Sequence, residues 1–172
     1  MVERRQKILE YLRQAGKPVT GSQLAELMGV SRQVIVQDIA LLRAEGKTVL
    51  ATPQGYLWCP PSPETAPQAV IAVTHAPQDT ELELNLLVDF GLRVIDVIVE
   101  HPIYGELRGY LMLQCRRDVQ LFLERLREAG AGLLSTLTGG VHLHTVEYQR
   151  EDDLRLACEA LAARGILLKA RE

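Results

Sequence analysis

A proline-rich segment divides this chain into two parts. The stretch WCPPSPETAPQ, residues 58 to 68, contains four prolines and shows neither a helical nor a strand period. A chain of 172 residues is long enough for two small domains with real cores. We therefore predict a front domain over residues 1–59, a Pro-rich linker over 60–68 and a back domain over 69–172.

The two parts carry opposite net charge. Residues 1–60 hold 8 Lys and Arg against 5 Asp and Glu, whereas residues 61–172 hold 11 against 17. The basic front part favours a polyanionic partner. No apolar run approaches the roughly 20 residues of a membrane span, and MVERRQKILEYLRQ lacks the apolar stretch of a signal peptide. We expect a cytoplasmic protein that does not associate with a membrane. The 3 cysteines argue against a disulfide framework and a Cys-based zinc site, because they are odd in number and widely spaced.

Apolar residues at helical spacing predict three helices in the front domain. Thr20 is placed to cap the second helix and Ser31 the third, and Gly29 lies in the short turn between them. Two helices joined in this way are typical of a helix-turn-helix. The residues predicted to face inward are Ile8, Tyr11, Leu12, Ala15, Leu24, Leu27, Met28, Ile35, Ile39 and Leu42.

The third helix resembles a recognition helix, whose first residues contact base edges in the major groove of double-stranded DNA. Arg can bond guanine, Gln can bond adenine and an aliphatic side chain can touch a thymine methyl. Two short strands, 49–51 and 56–58, follow as a hairpin that would form a wing. The predicted DNA-binding residues are Thr20, Ser31, Arg32, Gln33, Val36, Gln37, Lys47 and Gln54.

The front domain resembles the winged-helix domain of the biotin-repressor type. The resemblance runs from about Arg4 to Trp58, and its most specific part is the stretch VSRQVIVQDIALLR. The alternative is a helical module that contacts only proteins, since the helix-turn-helix shape also serves such contacts.

The sequence of the back domain predicts alternating strands and helices. Its segments are a strand in AVIAVTH, a helix in TELELNLLVDFG, a hairpin in LRVIDVIVEHPIYGELRGYLMLQC, a helix in RRDVQLFLERLREAG, a strand in GGVHLHTVEYQ and a helix in EDDLRLACEALAARG. This βαββαβα order favours an α+β sandwich with one mostly antiparallel sheet and helices on one face.

Two of the four histidines lie on one face of a single strand. His142 and His144 are one residue apart, so their side chains point the same way. Alone, such a pair is more often partly exposed than metal-bound. His75, however, ends the first predicted strand, and in a ferredoxin-like arrangement the first and last strands are close. Zn²⁺, Ni²⁺ and Co²⁺ bind imidazole nitrogen and often add a carboxylate, for which Glu81 and Glu83 are the nearest candidates.

A winged helix followed by a three-histidine domain resembles the nicotinic-acid-responsive repressors of NAD biosynthesis and niacin uptake genes. The resemblance covers nearly the whole chain and rests on VSRQVIVQDIALLR, VTHAPQDTELELNLLVDFG, VIVEHPIYGEL and GGVHLHTVE. It implies one divalent transition metal per chain, nickel or zinc, with nicotinic acid as co-repressor. It prefers Glu83 over Glu81, and it matches His101 to the family's remaining histidine. The implied metal ligands are His75, Glu83, His142 and His144.

We therefore expect a metal-containing repressor that binds a palindromic operator as a homodimer. Nicotinate could complete the coordination sphere of the metal, and His101, Arg116 and Arg117 are candidate effector contacts. For the two arginines, a surface pair without a ligand is the more common arrangement. Two alternatives stay open: a metal-dependent hydrolytic enzyme with an attached DNA-binding domain, and a constitutive DNA binder with a structural metal.

Overall fold

The computed structural model describes residues 2–60 and 66–169 and divides the chain into two compact units, Met1–Glu64 and Thr65–Glu172. The centre of the predicted linker, residues 61–65, lies outside the described residues. On either side of it, Pro60, Ala66 and Pro67 have no regular secondary structure, and the first strand of the second unit starts at Gln68.

The first unit is a winged helix-turn-helix, as predicted. Its helices are α1 (Val2–Ala15), α2 (Gly21–Met28) and α3 (Arg32–Ala44), and its antiparallel hairpin is β1 (Val49–Thr52) and β2 (Gly55–Trp58). The Thr20 side chain caps α2 in a capping box with Gln23, and Ser31 caps α3. The buried core consists of Ile8, Leu9, Leu12, Val19, Leu24, Ala25, Ile35, Ile39, Leu42 and Val49.

Two residues predicted to face inward lie at the surface instead. Tyr11 is 41% exposed and Leu27 is 53% exposed, while Leu9 and Ala25 are buried. The reason is the rotation of each helix about its axis. The buried face of α1 is centred on the side of Leu9, and α2 buries Leu24 and Ala25 while Leu27 faces outward. The apolar spacing was therefore correct, but the predicted direction of the buried face around each helix was wrong by about one residue.

An ion pair fixes α3 against α1. Asp38 of α3 is buried, and Arg4 donates to both oxygens of its carboxylate, from Nε to Oδ2 at 2.6 Å and from Nη2 to Oδ1 at 3.2 Å. A buried carboxylate requires such a partner. The pair therefore couples the orientation of α3 to that of α1.

The second unit is an α+β domain with a four-stranded, fully antiparallel sheet of order β3-β6-β4-β5, which confirms the predicted fold class and element order. The strands are β3 (Gln68–Thr74), β4 (Arg93–His101), β5 (Gly105–Leu113) and β6 (Val141–Glu147). The helices are α4 (Thr80–Asp89), α5 (Arg116–Ala129) and α6 (Glu151–Ala163), and 3-10 helices span Pro77–Asp79 and Leu134–Thr138. Residues of all three α-helices share one core with the inward residues of the sheet, including Ile71, Val73, Leu84, Leu87, Val94, Val119, Val146, Ala157 and Leu161.

The wing is attached to the α1–α2 loop by close backbone contact. Val19 and Tyr56 exchange two backbone hydrogen bonds, of 2.9 and 2.8 Å, and Gly55 has a φ of +130°. A Cβ at Gly55 would lie 2.5 Å from the carbonyl carbon and oxygen of Val19. Glycine is therefore the residue that permits this approach.

We expect Gly55→Ala to destabilise the first unit by about 3 kcal/mol, since it combines backbone strain with a steric clash. Gly46→Ala is the matched control, because Gly46 also has a positive φ of +79° but nothing within 4 Å of its Cβ position; it should cost about 1 kcal/mol. Urea unfolding followed by the fluorescence of Trp58, the single tryptophan of the chain, measures both. Equal losses in the two variants would show that the close approach at Gly55 does not matter.

Candidate metal centre and DNA-binding surface

Strand β6 directs two histidines toward the helices that cover the sheet. His142 and His144 share a strand face with the core residue Val146. Both histidines are buried. They are therefore not the partly exposed pair that an isolated strand would present.

His75 follows β3, which pairs with β6. Val73 lies opposite His142 and Ile71 opposite His144, so the chain leaves β3 beside the start of β6. Gly140 packs there against the backbone of His75: a Cβ at Gly140 would lie 2.4 Å from the His75 carbonyl oxygen, and Gly140 has a φ of +98°. The first and last strands of the domain thus bring the three imidazoles into one region.

Glu83 lies in the first turn of α4 on the side that faces the sheet. Its carboxylate meets the Nε2 atom of each imidazole: His75 at 2.5 Å and His142 at 3.5 Å from Oε2, and His144 at 3.0 Å from Oε1. The four side chains are only 1–3% exposed. We call His75, Glu83, His142 and His144 the histidine–glutamate cluster. Glu81, the other candidate, is exposed.

Backbone carbonyls orient all three imidazoles. Each Nδ1 lies within hydrogen-bond distance of a carbonyl oxygen: Ala76 for His75 at 2.7 Å, Gly140 for His142 at 2.8 Å and Asp96 for His144 at 2.6 Å. A carbonyl only accepts, so each Nδ1 carries a hydrogen and donates it. In a neutral imidazole this leaves the Nε2 lone pair directed at Glu83, which is the arrangement that metal-binding histidines adopt.

Contacts within the cluster shift the pKa values of His75, Glu83 and His144. Burial opposes a charged His144, but the Glu83 carboxylate raises the pKa of His144 above 6.5. Burial also opposes a charged His75, and its bonds to Glu83 and to the Ala76 carbonyl raise the pKa of His75. Burial favours neutral Glu83, yet the charge of His144 and contacts from the three imidazoles hold the pKa of Glu83 well below 4.5.

The donor set fits a divalent transition metal. Two buried atoms of the cluster, Glu83 Oε1 and His144 Nε2, have no hydrogen bond of acceptable geometry among the described residues although they lie 3.0 Å apart. Ligand atoms of His75, Glu83 and His142 lie within 4.8 Å of one another. Three imidazole nitrogens and one carboxylate are ligands that nickel and zinc accept.

Two pockets border the cluster. One of about 340 Å³ is lined by His75, Ala76 and Pro77 together with Ser135, Thr136, Gly139 and Gly140. The other, of about 740 Å³, borders His142 and contains Glu100 and Glu106. Since the cluster side chains are almost fully enclosed, these pockets are two routes by which a small molecule could approach the cluster.

The three candidate effector residues make their contacts elsewhere. The Nδ1 atom of His101 accepts from the backbone N–H groups of Ile103 and Tyr104, both at 3.2 Å, and so organises the β4–β5 turn. Arg116 donates from Nε to Asp89 at 2.7 Å, and Asp89 is the last residue of α4, at the opposite end of that helix from Glu83. Arg117 is exposed. The structure does not bring these residues into the histidine–glutamate cluster.

The sequence did not lead us to predict a role for three residues near the cluster. Asp96 supplies the carbonyl for His144, Gly140 the carbonyl for His142, and Thr80 is a buried residue one helical turn before Glu83 whose hydroxyl oxygen has no partner among the described residues. A charged residue inside the apolar run VIDVIV and the Gly-Gly pair before VHLH are signals that point to Asp96 and Gly140. Nothing in the sequence distinguishes Thr80 from other helix-start residues.

The predicted DNA-binding residues of the first unit lie around the start of α3 and on the wing. Arg32, Gln33 and Gln37 are exposed and Val36 is half-buried on α3, and Lys47 is exposed just beyond it. A Cβ at Gly21 would lie 3.4 Å from Nε of Arg32, so the Arg32 side chain crosses the start of α2. Gln54 is half-buried in the wing turn, and Thr20 and Ser31 are engaged as helix caps. Within residues 2–60 and 66–169, no helix is long and apolar enough to cross a membrane.

Comparison with known proteins relates both units to described families. Residues 68–170 match the 3H domain, and residues 4–57 match an HTH domain. The chain is 44% identical over 168 residues to "Transcription repressor NadR" of Bacillus subtilis, covering 96% of this chain and 93% of the relative. It is 42% identical over 167 residues to "Probable transcription repressor NiaR" of Thermotoga maritima, covering 97% and 94%. These relatives support a transcription repressor over a hydrolytic enzyme.

The pKa shifts predict how pH affects the metal-free protein. A raised histidine pKa contributes stability that is complete below 6.5 and is lost as pH rises through the folded-state pKa. The lowered pKa of Glu83 contributes stability that is present above 4.5 and is lost as pH falls through the folded-state value. We expect the urea midpoint of the second unit, followed by circular dichroism, to fall as pH rises above 6.5. Glu83→Gln should flatten this profile and Glu81→Gln should not; identical profiles for both variants would contradict the assignment.

Proposed function

Because the chain belongs to the family of transcription repressors that join an HTH domain to a 3H domain, we propose that it is a metal-containing repressor of NAD biosynthesis or niacin uptake genes. It binds operator DNA as a homodimer in response to nicotinic acid. One observation carries the proposal: three imidazole Nε2 atoms, each oriented by a backbone carbonyl, converge on one buried carboxylate.

The histidine–glutamate cluster holds one divalent ion per chain, nickel or zinc. His75, His142 and His144 would supply neutral imidazole nitrogens to such an ion and Glu83 a carboxylate oxygen. Any Nε2 proton that these imidazoles carry in the metal-free cluster would be released on binding. When bound, the ion would supply a positively charged centre that a carboxylate ligand can coordinate. The anionic form of nicotinic acid is such a ligand, and the neutral amide is a poorer one.

Charge favours one of the two approaches to the cluster. The pocket at His142 contains the carboxylates of Glu100 and Glu106. Glu106 is paired with Arg108, so Glu100 is the carboxylate that repels an anion there. The residues that line the pocket at His75 carry no acidic side chain. We therefore assign the entry of nicotinate to the side of His75, where the Gly139–Gly140 turn and the 3-10 helix before it form the wall. His101, Arg116 and Arg117 remain weaker candidates, since His101 is held in its turn and Arg116 by Asp89.

The sequence connects this side of the cluster to the linker. Strand β3 starts at Gln68, directly after the linker, and ends at Thr74, directly before His75. A displacement of His75 on effector binding would therefore act on one seven-residue strand that is hydrogen-bonded to β6. This supports coupling between effector and DNA affinity through a defined structural element.

On the DNA side, α3 enters the major groove with Arg32, Gln33, Val36 and Gln37 facing base edges, and Lys47 and Gln54 contact the backbone beside the wing. Thr20 and Ser31, at the starts of α2 and α3, add contacts near the phosphates. Two copies related by a twofold axis match a palindromic operator with half-sites about one helical turn apart. Light scattering on the purified chain tests the dimer.

A constitutive DNA binder with a purely structural metal is the second candidate. The burial of all four cluster side chains favours it, since structural metal sites are closed whereas a metal that binds an added ligand needs an open position. Metal-loaded protein that binds the operator equally well with and without nicotinate would support this candidate over the first.

We expect nicotinate to strengthen operator binding about tenfold or more in the wild-type, metal-loaded protein. Nicotinamide should have little effect. The operator is obtained by selection from random duplexes and binding is measured by gel shift. Glu83→Gln and His144→Ala should lose the response while Glu81→Gln keeps it. If nicotinate leaves wild-type binding unchanged, the sensor assignment fails.

We also expect Arg32→Ala and Gln33→Ala each to weaken operator binding by about 10- to 100-fold and to relax sequence preference at one position. Lys47→Ala should weaken binding to all sequences alike and reduce the salt slope by about 1. Arg43→Ala, exposed near the end of the same helix, is the control for a general loss of charge. Fluorescence anisotropy over a salt series measures these effects. Equal losses for Arg32→Ala and Arg43→Ala would exclude the proposed orientation of α3.

A further inference from the structure

An aspartate is fully buried in the middle of the sheet. Asp96 of β4 is 0% exposed. Its Oδ1 accepts the backbone N–H of Thr145 at 2.9 Å, and its Oδ2 accepts Nη1 of Arg108 at 2.9 Å. A buried carboxylate is costly unless it is paired and hydrogen-bonded. Both oxygens of Asp96 meet this requirement, and neither takes part in the histidine–glutamate cluster.

Asp96 lies where the sheet ladder is irregular on both sides. Val94 is opposite Val146 and Ile98 is opposite Leu143, so β4 has one more residue than β6 over this interval. On the other side, Val94 pairs with Leu113 and Asp96 with Tyr110, so β5 has the extra residue. Within this second interval, Met112 has a φ of +52°. Bulges of this kind re-aim backbone groups and side chains.

At this irregularity, two polar groups of β6 bond to Asp96 of β4 in a way that a regular ladder would not allow. In a regular ladder the N–H of Thr145 would bond to a backbone carbonyl. Here the Asp96 side chain accepts that N–H, and the Asp96 carbonyl accepts Nδ1–H of His144 at 2.6 Å. One residue thus holds the backbone of Thr145 and the ring of its neighbour His144.

His144 differs in this respect from the other two histidines. The carbonyls that orient His75 and His142 are one and two residues away in the chain, whereas the carbonyl that orients His144 is 48 residues away. The orientation of His144 therefore depends on how β4 and β6 are registered. Arg108, whose side chain is 39% exposed, bonds both Asp96 and Glu106 and closes the network at the surface.

We propose that Asp96 is a positioning residue for the metal centre: its carboxylate holds the β4 bulge, and the bulge holds the carbonyl that fixes the tautomer and direction of His144. The inference rests on the proposed metal function of the cluster. Asp96 is not a ligand; it acts through His144.

The test compares Asp96→Asn and Asp96→Ala with wild type in the full-length chain, using Co²⁺ as the probe. Asparagine retains an oxygen for the Thr145 N–H, and alanine removes both bonds. Competition with a chromophoric chelator gives the Co²⁺ dissociation constant, and the visible spectrum reports the geometry around the ion. We expect about a 10- to 100-fold loss of affinity and a changed spectrum for Asp96→Ala, with partial rescue in Asp96→Asn. Glu106→Gln, which removes an exposed carboxylate of the same network, should leave both readouts unchanged.

A second readout does not require the metal. In protein labelled with ¹⁵N-histidine and held at an alkaline pH where the His144 imidazole is neutral, wild-type His144 should show the tautomer protonated at Nδ1, and the Asp96 variants should show a mixture. This keeps the proposal testable in Asp96→Asn even if Asp96→Ala does not fold. If the Asp96 variants keep the wild-type Co²⁺ dissociation constant, visible spectrum and His144 tautomer, the positioning role of Asp96 is wrong, while the proposed metal centre is unaffected. Wild-type protein that fails to bind Co²⁺ would instead overturn the proposed metal centre and, with it, this use of Asp96.

Discussion

The second unit depends on the burial of one carboxylate. Glu83 is enclosed beneath the sheet, where an ionised group is stable only if positive charge or strong donors surround it. Three imidazoles provide that environment, and they come from the end of β3 and from one face of β6. Helix α4, β3 and β6 must therefore be correctly registered before the carboxylate can be accommodated. A metal ion of the proposed kind would use this arrangement without requiring a new one.

The same compensation operates at different points along the chain. In the first unit, buried Asp38 is paired with Arg4; in the sheet, buried Asp96 is paired with Arg108 and a backbone N–H. Only at Glu83 are the partners imidazoles, whose protonation can change near neutral pH. The arginine pairs of Asp38 and Asp96 are therefore suited to holding helices and strands together. The imidazoles around Glu83 are suited to releasing protons and binding a metal in their place.

Much of the fold was predictable from the sequence because apolar spacing and turn residues are local signals. The helix-turn-helix, its caps at Thr20 and Ser31 and the βαββαβα order all follow from such signals. The alternation in VHLH predicted that two histidines share a face, but only the packing of the helices shows that this face is covered. Tyr11 and Leu27 were assigned inward because spacing defines a stripe and not where the stripe is centred. The bulge at Asp96 depends on pairing between strands almost 50 residues apart, and no local pattern encodes it.

The ion pair between Arg4 and Asp38 has a consequence for the proposed contacts between α3 and DNA. A bidentate contact on one side of α3 resists rolling of that helix about its own axis, since rolling would strand a carboxylate in the core. Arg32, Gln33 and Gln37 are therefore held at fixed azimuths around the helix. In the proposed complex with DNA, a recognition helix held in this way would present the same side chains to every DNA sequence, so discrimination would depend on the identity of those side chains.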